Sequence, residues 1–302
     1  MAPTFPIPAN CSLVEQGRIS ALLKNEYKPR LLSLGVLNPR ELLARSTDAG
    51  HKRFTGRGPL SSLPLGETDG MRVVVKQCLR GGLIRCLSSD IFCGGNRPFD
   101  EMCANLAIVE RGIKTAEIIA AVKETLPGPF YRAYLFSLEL SGCVDLTSYL
   151  NLLREKSPDQ RFRAKAGIFE AVAHAFTAMH RSGIYHRDLH LKNVLLRQGA
   201  AQKAPEVFII DFDRAVLKAR LSPGEKLNNL MRFNRSIEKY RVFSGAFTRG
   251  GQMKLCRAYL AENDDAARLL PGALRRYRVM MKLRRLKWDF RARTTGKGAG
   301  LI

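Results

Sequence analysis

The spacing of apolar residues changes character along this chain. Residues 12 to 47 read as helical: Leu31, Leu32, Leu34 and Leu37 lead into NPRELLARS, where Asn38 is placed to cap and Pro39 to open a helix. The Gly, Ser and Pro cluster of RFTGRGPLSSLPLGETDG then reads as turns, and Arg72 to Cys78 as a short β-branched strand carrying Lys76. PFDEMCANLAIVER, residues 98 to 111, opens with Pro and two acids and spaces Met102, Leu106 and Val109 as one helix face, which Gly112 ends. Two further strands are expected at Ala116 to Val122 and Tyr131 to Leu140, joined through LPGP.

From Ser141 the pattern becomes helical. DLTSYLNLL starts one helix, and Phe169, Val172, Phe176 and Met179, three and four apart, mark a long buried one. Strands with a single helix followed mainly by helices predict an α+β protein of two lobes, the first small and β-rich, with the boundary near Gly142. The corresponding segments are a helical N-terminal extension at 1–48, a first lobe at 49–142, a second at 143–265, and a basic helix with its tail at 266–302.

Between the lobes' signals lies a set of groups suited to phosphoryl transfer. That reaction needs an oriented nucleophile, metal ions on the phosphates and cations against the developing charge. In HRDLHLKNVLL, Asp188 is positioned to accept a proton from a hydroxyl, and Asn193 follows five residues later; the apolar strand VFII then delivers Asp211. Asn193 and Asp211 offer oxygen ligands of the kind magnesium prefers. Upstream, Gly56 and Gly58 sit in a turn where bare backbone can approach phosphate, Lys76 can reach the α and β phosphates, and Glu101 can pair with Lys76. GRG by itself is equally a plain turn, VVVK a solvated lysine on a strand, and Glu101 an acid favouring a helix N-terminus. The HRDLHLKNVLL and IIDFD segments carry the specificity, through their spacing and their order relative to Lys76 and Glu101. His186 is expected to pack beneath the loop. Lys192 is a candidate phosphate contact, with a solvated side chain as the alternative, and Asp213 either a second acid near the metals or a cap for the next segment. Ala204-Pro205-Glu206 precedes Asp211, so it reads as a turn between strands and cannot close an activation segment.

Taken together, GRG, VVVK with RGGLI, RPFDE with ERGIKTAE, HRDLHLKNVLL and IIDFDRA resemble the bacterial lipopolysaccharide core kinases, the 3-deoxy-D-manno-octulosonic acid (Kdo) and heptose kinases above all. The likeness extends over about residues 50 to 240, and NNLMRFNRSIEKYR is similar to the family's helix after DFDR. It implies a protein-kinase-like two-lobed fold using ATP and Mg2+, acting on a sugar hydroxyl of a lipid-linked core oligosaccharide at the cytoplasmic face of the inner membrane. Asp188 would then be the base, Lys76 and Glu101 the ATP-positioning pair, and Asn193 and Asp211 the metal ligands.

Composition alters this picture in two respects. Seven cysteines without CxxC spacing and five scattered histidines suggest neither a disulfide framework nor a zinc site, and fit a reduced, cytoplasmic setting. No apolar run is long enough to span a bilayer, and the N-terminus has no secretory h-region. The formal charge of +23 calls for an anionic partner. Much of it lies in LRRYRVMMKLRRLKWDFRAR, where Val279, Leu283, Leu286 and Phe290 share a helical face among cations, a pattern suited to an anionic membrane surface or to packing on the helical lobe. No nucleic-acid-binding module accompanies these charges, so nucleic acid is not the expected partner. A kinase-fold enzyme with another small-molecule or protein target, or a silent scaffold on an anionic surface, remain the alternatives.

Overall fold

The computed structural model describes residues 7–44, 52–53, 60–66, 70–79, 90–153, 157–198, 204–244 and 249–281 except 273, 276 and 278. The chain divides into two compact units: residues 1–110 with 116–141, and residues 111–115 with 142–302.

The first unit is built on an antiparallel sheet of eight strands among the described residues. Its strands are β1 (Cys11–Gln16), β2 (Ile19–Lys24), β3 (Lys52–Arg53), β4 (Leu60–Pro64), β5 (Arg72–Gln77), β6 (Phe92–Cys93), β7 (Ile118–Thr125) and β8 (Phe130–Leu138), in the order β1-β2-β7-β8-β5-β4-β3, with β6 against β8. Both faces are covered. On one, α1 (Lys28–Leu34) and α2 (Pro39–Ala44) bring Leu31 and Leu42 against Ala21, Leu23, Val73, Val75 and Phe136. On the other, α3 (Arg97–Glu110) seats Phe99, Met102 and Leu106 against Leu22, Cys78, Ala121 and Leu135. Leu22 and Leu23, adjacent in sequence, are both fully buried, one in each layer.

This corrects the reading of residues 12–47 as helical. The first part is a hairpin that extends the sheet, and only α1, α2 and a single 3-10 turn at Asn25–Tyr27 are helical. The hairpin closes through Gly17 and Arg18, with Gln16 facing Ile19 and Gly17 at φ 60, the conformation that a two-residue hairpin turn asks of a glycine at its first central position. The LSSLP stretch, expected as turn, is β4. Its buried Ser62 is satisfied by Arg72 Nε at 2.8 Å and by the Glu139 carboxylate, so its hydroxyl can sit inside a strand with partners.

The second unit contains β9 (Cys143–Asp145), α4 (Leu146–Leu152), α5 (Pro158–Arg181), β10 (Ile184–Tyr185), β11 (Val194–Arg197), β12 (Glu206–Ile209), β13 (Val216–Leu217), α6 (Pro223–Ser244) and α7 (Arg249–Ala261). Asp145 caps α4, accepting from the Thr147 and Ser148 amides. The α5 face of Phe169, Val172, Phe176 and Met179 is fully buried; Phe176 meets Phe233 of α6 edge to face at 4.8 Å, and α7 supplies Leu255 and Tyr259. Each such side chain contributes about 1.5–3 kcal/mol through burial. Two small sheets, β12-β11-β9 and β10-β13, rest on these helices. Beyond α7 the chain is helical again at 264–272, and further along Tyr277 and Met281 are buried while Val279 is 61% exposed. Of the expected apolar stripe in this basic segment, Val279 thus faces outward; Leu283, Leu286 and Phe290 lie outside the described residues.

Candidate active site

The second unit gathers Asp188, Asn193 and Asp211 around one buried histidine. The His186 ring packs against Phe212, centroids 4.7 Å apart and planes tilted by 45°, and is almost wholly enclosed. Its Nε2 donates to the Ile210 carbonyl at 3.0 Å, one residue before Asp211, and its Nδ1 accepts the Asp188 amide at 3.1 Å. One imidazole therefore ties the loop carrying Asp188 to the strand end carrying Asp211. Those two bonds require the neutral ring with its proton on Nε2, and burial pushes the His186 pKa down in the same sense. The expectation of a structural histidine beneath the loop describes its position well.

Asn193 ends a 3-10 turn, Leu191–Asn193, and is buried. Its Nδ2 donates to the Asp188 carbonyl at 2.9 Å, which orients Oδ1 as the side chain's group for a cation. Its own carbonyl accepts the Ile210 amide at 2.9 Å, next to the β11–β12 pairing of Val194 with Ile209. Asp211 has φ 67, the one positive value among the described non-glycine residues. Backbone strain of this kind collects at functional positions, and aspartate tolerates it better than most side chains. One carboxylate and one amide oxygen suit magnesium, which is held through few protein ligands and substrate phosphates. No group of three or more His, Cys, Asp or Glu is gathered among the described residues.

The Asp188 carboxylate itself is 61% exposed, with His190 Nε2 at 3.8 Å and Arg232 Nη1 at 3.9 Å. Lys192 is exposed on the 3-10 turn. Asp213 lies in the turn after Phe212, closed by the Ala215 amide donating to the Phe212 carbonyl at 3.0 Å, with Arg214 Nε 3.7 Å from its carboxylate.

In the first unit, Lys76 sits opposite Leu135 in the β5–β8 register, and cross-strand partners share a face. Leu135 belongs to the layer covered by α3, so Lys76 projects toward the side of the sheet on which Glu101 is carried. The Glu101 carboxylate is 9% exposed, with Arg97 one helical turn back at 4.0 Å. Gly56 and Gly58 lie outside the described residues.

Several supporting residues had no sequence motif. Asn229 of α6, fully buried, accepts the His186 amide at 3.0 Å and returns a bond to the His186 carbonyl at 2.9 Å. The backbone thus fixes which end of the amide is oxygen. His180 Nε2 must then donate to that oxygen at 3.2 Å, and Nδ1 accepts from the Tyr259 hydroxyl at 2.6 Å. Ser236 Oγ accepts the Leu191 amide at 3.2 Å. The available signal was a polar series, Asn229, Arg232 and Ser236, at helical spacing beside the apolar stripe Leu227, Leu230, Phe233 and Ile237.

With this geometry in hand, the likenesses can be placed. The family model described as lipopolysaccharide kinase (Kdo/WaaP) matches residues 62–259. The chain is 29% identical over 213 residues to a 3-deoxy-D-manno-octulosonic acid kinase of Vibrio vulnificus (strain YJ016), spanning 69% of this chain and 81% of that one. To the enzyme of the same name from Xylella fastidiosa (strain M23) it is 30% identical over 192 residues, or 62% and 70% of the two chains. Among solved structures it is similar to WaaP in complex with acyl carrier protein, with a TM-score of 0.53 at 22% identity, covering 83% of this chain and 96% of that one. The last is a likeness of fold: α+β, two-lobed and kinase-like.

Proposed function

The chain belongs to the lipopolysaccharide kinase (Kdo/WaaP) family, and we propose that it transfers the γ-phosphate of ATP to a sugar hydroxyl, on Kdo or heptose, of a lipopolysaccharide inner-core glycolipid. The observation that carries this reading is the single histidine joining the Asp188 amide to the Ile210 carbonyl, because it holds an exposed carboxylate and a strained aspartate in one fixed relation. Asp188 accepts the hydroxyl proton of the acceptor. Asn193 and Asp211 hold Mg2+, which when bound offsets charge on the transferring phosphate. Lys76, positioned by Glu101, grips the nucleotide phosphates together with the backbone at Gly56 and Gly58, and Lys192 adds a cation near the transferred group.

A protein acceptor is disfavoured. The chain passes from Asp211 into β13 and reaches α6 at Pro223, which leaves no length for an activation segment to receive a polypeptide. A lipid-linked acceptor suits the +23 charge and the basic C-terminal segment. There Tyr277, bonded to Asn234 Nδ2 at 2.9 Å, and Met281 anchor one face, and the outward Val279 begins the opposite apolar stripe. The protein then works at the cytoplasmic face of the inner membrane as a peripheral enzyme; among the described residues no helix is long and apolar enough to cross a bilayer.

Labelled ATP with a panel of intact and deacylated core glycolipids, read by mass spectrometry, tests the assignment. Label should enter the inner-core sugar with wild-type protein and be lost with Asp188→Asn at unchanged melting temperature. Undiminished transfer by that variant refutes the assigned base, and label on no glycolipid refutes the acceptor.

A further inference from the structure

Helix α6 grips the catalytic loop on both sides of Asp188. Asn229 holds the His186 backbone at both its amide and its carbonyl, and Ser236 takes the Leu191 amide while donating to the Phe233 carbonyl at 2.7 Å. Positions 229, 232 and 236 fall on one helical face. Arg232 is therefore carried between two clamps, with Nη1 3.9 Å from Asp188 Oδ1.

That pairing is a poor explanation for the arginine. The separation is too long for a hydrogen bond, and with 38% and 61% of the two side chains exposed the attraction is weak. Meanwhile Arg232 Nε is shut off from solvent and bonds to nothing. A buried donor left without an acceptor is destabilising. An anionic ligand that draws the guanidinium outward would supply Nε and Nη with partners together, in the planar fork that fits carboxylate and phosphate.

We infer that Arg232 positions the acceptor, its guanidinium binding an anionic oxygen of the glycolipid, from a sugar carboxylate or a phosphate ester, so that the neighbouring hydroxyl is delivered to Asp188. The inference rests on the phosphotransfer reading given above and adds the recognition element of that site.

The test compares wild type, Arg232→Gln and Arg232→Lys in the full-length protein, with ATP and three acceptors: intact glycolipid, the same with its sugar carboxylates reduced to alcohols, and the same with phosphates removed. Arg232→Gln should raise KM for the intact acceptor by 10- to 100-fold and leave KM for ATP within twofold, with Arg232→Lys between. Against the acceptor lacking the recognised anion, wild type and Arg232→Gln should behave alike, which identifies carboxylate or phosphate as the source. Equal proportional losses on all three acceptors, an unchanged acceptor KM, or a rise confined to the KM for ATP would each overturn the inference, the last by assigning Arg232 to the nucleotide. Wild-type activity on the intact acceptor tests the function itself: its absence sinks both readings, whereas its presence with Arg232→Gln unaffected sinks this one alone. Melting curves for both variants separate folding from recognition.

Discussion

Acidification should destabilise this protein well before its carboxylates titrate, through His180. The ring is 1% exposed, and burial pushes its pKa down from 6.5 to about 4. Its protons are also fully assigned: Nε2 donates to Asn229, and Nδ1 accepts from Tyr259, so no partner awaits a further proton. The folded pKa lies below the unfolded one. Above pH 6.5 neither state is protonated and His180 adds no pH dependence; between pH 6.5 and 4 the unfolded chain binds a proton that the folded chain refuses. Stability therefore falls as pH falls, by about 1.4 kcal/mol per unit for one proton and about 3 kcal/mol in all by pH 4. His186 is shifted in the same direction, so it steepens the slope further. Against a typical total of about 5–15 kcal/mol this is large. Urea unfolding at half-unit steps from pH 7.5 to 5 measures it. His180→Gln keeps an amide donor and acceptor but cannot titrate, so its slope should be lower by one proton. A wild-type curve flat between pH 6.5 and 5, or an unaltered slope in His180→Gln, would refute the reasoning.

Two further substitutions probe the backbone. Gly183, at φ 71 after α5, carries the turn into β10, and a Cβ there would run into the Lys218 carbonyl oxygen. Gly183→Ala should cost about 2–4 kcal/mol in urea unfolding, from the left-handed conformation plus the displaced backbone; a loss below about 1 kcal/mol would contradict that packing. Asp211→Gly relieves the positive φ while removing a proposed metal ligand. It should leave stability unchanged or raise it by up to about 1 kcal/mol and abolish phosphate transfer, a combination checked by melting and by the labelled-ATP assay.

How far the fold could be read from sequence depended on what each segment's neighbours demanded. The strand carrying Lys76, α3 and the helix capped by Asp145 were legible because local propensity, end signals and burial all agreed there. Residues 11–24 were not. β2 lies inside a sheet covered on both faces, so Ala21, Leu22 and Leu23 are all buried and the alternation that marks a half-exposed strand disappears. The clue was Gly17-Arg18, the two residues of a hairpin turn between Gln16 and Ile19. Around the site, sequence supplied the groups that carry chemistry because their spacing is short and local. Asn229, Ser236 and His180 act through contacts spanning more than 40 residues, and the polar series at 229, 232 and 236 marks a helix face without naming what it meets.

The same contacts explain how DFD can stand where a glycine would be expected in a protein kinase. Among the described residues the only non-glycine with positive φ is Asp211, so position 213 makes no demand that glycine alone could meet. Phe212 is buried against the His186 ring, and after one turn the chain enters β13, whose Val216 and Leu217 pair with Tyr185 and Ile184 immediately before His186. The segment following the proposed metal aspartate is thus bound to the strand preceding the proposed base. Lys218 extends the tie, its amide donating to the Gly183 carbonyl at 2.9 Å and its Nζ meeting Glu225 at the start of α6. In a regulated protein kinase this stretch is a long loop whose ordering decides activity. Here the stretch from Asp211 to the start of α6 at Pro223 is short and stitched at both ends, so it is not a long loop of that kind.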